Sequence, residues 1–75
     1  MTEGSISTDP AIMLGKPVIS GTRITVETIL EKIANGETVD EILADFPSLK
    51  RTDVLGAVDY AVRVLKTDIV YTTGT

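Results

Sequence analysis

Between Thr25 and Pro47 the chain carries two apolar stripes at helical spacing, each with its own start and stop signal. No other stretch constrains the fold as much. Val26, Ile29, Leu30 and Ile33 fall at i, i+3, i+4 and i+7, which places them on one face of a helix. Thr25 stands before them as an N-cap, and Glu27 and Glu31 lie toward the positive end of the helix dipole. Asn35-Gly36 ends the stripe, with Gly36 suited to the left-handed position after a helix. Val39, Ile42, Leu43 and Phe46 repeat the same spacing. Ahead of them, Thr38-Val39-Asp40-Glu41 reads as a capping box, with Glu41 reaching back to the N-cap. Pro47 stops this second helix, and its steric effect on the preceding residue puts the end near Asp45 or Phe46.

A third helix is expected from about Arg51 to about Lys66. Val54, Val58, Ala61, Val62 and Leu65 trace one face, Ala57 and Val64 widen it, and Leu55 lies to one side. That stripe is wider than one small core needs. Either the other helices and the N-terminal segment cover it, or the helix also buries a face against a dimer mate or a partner.

Upstream, residues 1–5 read as a flexible end and Ile6 to Thr8 as a short edge strand. Asp9-Pro10 is a turn, Ala11 to Leu14 one turn of helix, and Gly15 a break. Val18-Ile19 reads as a strand with Pro17 at its start. Ser20-Gly21 supplies a turn and Thr22 to Thr25 the returning strand of a hairpin. After the third helix, Ile69, Val70 and Tyr71 favour an extended backbone in a tail over 67–75, free or paired with a partner. The expected fold is mainly α: one tri-helical helix-turn-helix domain over 6–66 with a short N-terminal β-hairpin or wing.

Composition narrows the function. The chain of 75 residues has neither cysteine nor histidine, which excludes disulfides, His-led triads and zinc sites built on those ligands. A phosphate loop fails at Gly15-Lys16-Pro17, because proline removes a donor and no helix follows. The carboxylates follow helix polar faces and form no catalytic or metal pair, so no enzyme activity, catalytic residue, metal or cofactor is expected. No apolar run is long enough to span a bilayer and no signal peptide is visible, which makes a cytoplasmic protein the expectation. A formal net charge of −4 weighs against tight DNA binding by a monomer. DNA contacts, if made, fall to Arg23 and to Lys50, Arg51 and Thr52 at the start of the third helix. For Arg23 the alternative is structural, its guanidinium bonding carbonyls or a carboxylate. Lys50-Arg51 is a poor start for a helix, so Thr52 or Ser48 is expected to provide the cap.

The stretch GKPVISGTRITVETIL, then GETVDEILADFP and a long apolar third helix, resembles the family called domain of unknown function 433. Its members typically read Gly-Lys-Pro-x-Ile-x-Gly-Thr-Arg-Ile-x-Val, then a helix, then Glu-Ile-Leu with a Pro-x-Leu turn. The likeness covers about Ile6 to Val64. It carries over the motif positions Gly15, Lys16, Pro17, Gly21, Thr22 and Arg23, and it implies a homeodomain-like helix-turn-helix. It also implies an antitoxin role of the VapB type: a small protein that binds and neutralises a PIN-like ribonuclease toxin and binds its own operator DNA; the acidic charge makes a homodimer the expected form for any DNA binding. The toxin contacts would fall on Val62, Leu65, Ile69, Val70 and Tyr71. The alternatives are a stand-alone dimeric DNA-binding regulator and a structural interaction module without DNA binding.

Overall fold

A computed structural model describes residues 2–3 and 6–68, with side chains described from Ile6 to Thr67. Three short strands, β1 (Thr2–Glu3), β2 (Ile6–Ser7) and β3 (Val18–Ile19), form an antiparallel sheet in that order. Ile6 sits opposite Ile19, and Ser7 opposite Val18. Three helices follow: α1 (Val26–Ala34), α2 (Val39–Asp45) and α3 (Arg51–Asp68). The domain is mainly α, as its apolar spacing indicates, and α2 and α3 form the helix-turn-helix pair.

The helix ends follow their side-chain chemistry. Thr25 Oγ1 accepts the Thr28 N–H at 3.1 Å and starts α1. At the other end Gly36, at φ 91°, donates to the Ile33 carbonyl, and Glu37 donates to Lys32. These two bonds make a Schellman close. The capping box of α2 is complete: Thr38 Oγ1 accepts the Glu41 N–H at 3.1 Å, and Glu41 Oε1 accepts the Thr38 N–H at 2.8 Å. α2 ends at Asp45 with Phe46 as its cap. α3 is capped by neither Thr52 nor Ser48. Asp53, at its third position, accepts the Lys50 N–H at 2.9 Å. A carboxylate there satisfies an orphan donor and offsets the two cations at the positive helix end.

The N-terminal segment departs from expectation in three places. Thr2–Glu3 pairs with Ile6–Ser7, so β2 is the middle strand of the sheet and not its edge. Ala11 to Leu14 does not form a right-handed turn. Met13, Leu14 and Gly15 have φ of 49°, 59° and 84°, and a left-handed 3-10 turn spans Met13–Gly15. The chain must reverse here to bring β3 antiparallel beside β2. The return after Gly21 is one bridge, Val18 to Thr25, and not a strand. Thr25 is already committed to capping α1, so the backbone turns helical at once. At the far end α3 runs to Asp68, two residues past the expected limit.

One core draws on every element except β1, whose side chains are not described. Ile6, Ile19, Val26, Ile29, Ile42, Leu49, Val54 and Ala57 are buried together. Ile33, the last position of the α1 stripe, emerges at 37% exposure. α3 turns a different face inward from the one its widest stripe suggests. Val54 and Ala57 are buried, and Tyr60, Ala61 and Val64 are half-buried. Val62 and Leu65 are exposed at 43% and 65%. Val54 and Ala57 thus mark the face that α3 turns to the core, and Val62 lies off it.

Candidate functional site

From Val58 to Thr67 no residue of α3 is fully buried. An open groove of about 500 Å³ lies between this half of the helix and the start of α1. Pro17, Val26, Leu30, Tyr60, Val64 and Leu65 make most of its lining. Lys16 and Glu27 stand on its rim. Lys16 Nζ donates to Glu27 Oε1 at 2.8 Å, and both side chains are more than half exposed. That hydrogen bond and the Glu27 charge hold the Lys16 ammonium above its ordinary pKa of 10.5. The groove therefore offers apolar surface with a neutralised polar lip. It suits binding an apolar segment.

The motif positions divide between turn chemistry and this groove. Gly15 closes the left-handed turn, and Gly21 takes φ 81° in the turn after β3, where an L side chain is strained. Thr22 Oγ1 donates to the Ile19 carbonyl at 2.8 Å and accepts the Ile24 N–H at 3.0 Å. The Pro17 carbonyl accepts the Val26 N–H at 3.0 Å, tying the groove lip to the first turn of α1. Arg23 is exposed, and its side chain makes no hydrogen bond or ion pair among the described residues. Among the described residues, the local loop bonds are made by Thr22 and not by Arg23.

The other DNA candidates cluster at the start of α3. Lys50, Arg51 and Thr52 are all exposed. Arg51 Nη2 donates to Asp40 Oδ1 at 2.6 Å, so α2 partly neutralises the one guanidinium of the cluster. Arg23 belongs to the β3–α1 loop and shares no element with them. Of the partner-binding candidates, Leu65 lines the groove. Val62 does not line it, and Ile69, Val70 and Tyr71 lie outside the described residues. Sequence reasoning missed Pro17, Leu30, Tyr60 and Val64 as surface. The excess width of the α3 stripe signalled Val64 alone; nothing local marked Pro17, Leu30 or Tyr60.

The fold and its surface define a small helix-turn-helix domain with an open apolar groove among its described residues. The chain belongs to the family described as protein of unknown function (DUF433), whose model matches residues 6–61. No curated protein and no solved structure matches it. Val64 and Leu65, at one end of the groove, lie beyond the matched segment. No helix among the described residues is long and apolar enough to cross a membrane.

Proposed function

We propose that this chain is an antitoxin-like interaction module that binds and neutralises a PIN-like ribonuclease toxin. The observation that carries the reading is the open apolar groove between α1 and the second half of α3. A concavity of that size on a 75-residue domain, lined by Leu30, Tyr60 and Val64, suits an inserted helix or strand of a protein partner. The acidic balance of the chain, −4, favours a partner with a basic face, as an RNA-cleaving protein has. The likeness of the Gly15 to Leu30 stretch to antitoxin-like relatives points the same way.

The test is co-expression with the product of the adjacent reading frame, tagged on that product. Co-elution and relief of growth arrest are expected. Val64→Glu, inside the groove, is expected to abolish both, while Leu55→Asp, on another face, keeps both. A chain that elutes alone while the neighbour is folded and toxic sinks the reading.

The second reading is operator binding by a dimer. What favours it is that Lys50 and Arg23 are exposed, and that the Arg23 side chain has no intramolecular partner among the described residues. It expects promoter binding that weakens steeply with salt and is lost in a Lys50→Ala, Arg51→Ala double variant. Unchanged binding by that variant would remove α3 from the interface.

A further inference from the structure

Besides the groove, α3 presents a second apolar line. Leu55, Val58, Val62 and Leu65 follow one another at steps of three, four and three residues. Leu55, Val62 and Leu65 are 54%, 43% and 65% exposed, and Val58 is half-buried. That spacing is the a/d seam of a coiled coil, not the broader stripe of a helix lying on a core. Asp59 and Lys66, seven residues apart and both exposed, run along its outer flank, and Asp59 also pairs within the helix with Arg63 Nε at 3.1 Å. The inner flank holds Val54 and Ala61, which face their own domain.

We propose that this seam pairs with the same seam of a second copy, the two α3 helices antiparallel about a two-fold axis. In that arrangement Leu55 lies level with Leu65 of the second copy, and Val58 with Val62. Every layer is then apolar, and the surface is self-complementary, as an isologous interface requires. The charges select the direction. Side chains lean toward the N-terminus of their own helix. In the antiparallel alignment Asp59 and Lys66 of the second copy therefore lean toward each other, and the symmetry repeats the pair. A parallel pair sets the Asp59 and Lys66 flank against Val54 and Ala61 and gains no ion pair. The seam of four layers is shorter than a standard interface, so the dimer forms in a concentration-dependent way.

Leu65 belongs to both the groove and the seam, so the pairing is tested on the isolated full-length chain with no toxin present. Sedimentation over a range of concentrations is expected to show a monomer–dimer equilibrium. Asp59→Lys or Lys66→Asp, each placing like charges opposite one another, is expected to raise the dissociation constant roughly tenfold. The double swap is expected to restore it. Asp59→Lys also breaks the Asp59–Arg63 pair within α3, so helicity is checked by circular dichroism and Lys66→Asp, which breaks no ion pair among the described residues, is the deciding variant. The chain has no cysteine, which allows a direct test of direction. Under mild oxidation Leu55→Cys mixed with Leu65→Cys is expected to give the mixed disulfide in preference to either symmetric one. Symmetric partners would be about 15 Å apart along the axis. A chain that stays monomeric at millimolar concentration overturns the proposal. So does a dimer indifferent to the charge swaps, or one that cross-links 55 to 55.

Discussion

At the scale of single residues, the chain depends on a few backbone positions that most side chains resist. Gly21 and Gly36 sit at φ 81° and 91°, and a Cβ added at either meets nothing within 4 Å. The cost of a side chain is therefore conformational and not steric. Gly36→Ala is expected to destabilise the fold by about 1 kcal/mol in urea unfolding, with Gly21→Ala similar. Leu14 is the converse case. It holds φ 59° with 93% of its surface exposed, so it bears backbone strain without burial in return. Leu14→Asn is expected to stabilise by about 0.5 kcal/mol, since Asn tolerates the left-handed region better. A lower urea midpoint for that variant would mean that the leucine side chain stabilises the turn. Gly21 and Gly36 were legible in the sequence because their neighbours are turn formers. Leu14 was not, because nothing local announces a leucine in that region.

At the scale of elements, α1 and α2 are specified by their ends. Thr38→Ala removes the acceptor for Glu41 and is expected to cost about 1 kcal/mol, read as a lower thermal midpoint. The two helices are joined through Lys32. Its Nζ donates to Asp45 at 2.7 Å and reaches Glu37 at 3.5 Å, and it lies 5.3 Å from the Phe46 ring centre. The hydrogen bond to Asp45, with the charges of Asp45 and Glu37, raises the Lys32 pKa above 10.5, as Glu27 does for Lys16. A lysine pKa raised in the folded state means stability that is fully present below 10.5 and lost as pH climbs through the folded value. The thermal midpoint is therefore expected to fall above that pH more steeply in the native chain than in Lys32→Met. Parallel curves would show that the pairs contribute nothing measurable, the common result for exposed ion pairs. The cap of α3 was read less well. Lys50-Arg51 suggested a search for a hydroxyl, whereas Asp53 reaches back from inside the helix.

At the scale of the molecule, one small core holds sheet and helices together. Ile42 is fully buried, as are Ile29 and Val54. Ile42→Ala is expected to cost about 2–5 kcal/mol, which rivals the whole stability of a domain this size. The cooperative thermal transition should then disappear at 25 °C and above. A sharp melt retained near the native midpoint would mean that the core repacks around the gap.

The local code determined what lies close in sequence. Stripe, cap and stop signals act within about four residues, so α1, α2 and their boundaries could be read from the chain alone. The excess apolar width of α3 was visible as well, but not its division. A periodic pattern says how many faces are apolar, not which one a neighbour covers. Packing of α3 into the shared core decided that Val54 and Ala57 go inward, that Tyr60 and Val64 wall a groove, and that Leu55, Val62 and Leu65 stay exposed. The strand pairing of Ile6 with Ile19, twelve residues of intervening chain apart, was likewise a tertiary choice. Both depend on where distant segments meet, and that is set by the one arrangement that buries Ile6, Ile29, Ile42 and Val54 together.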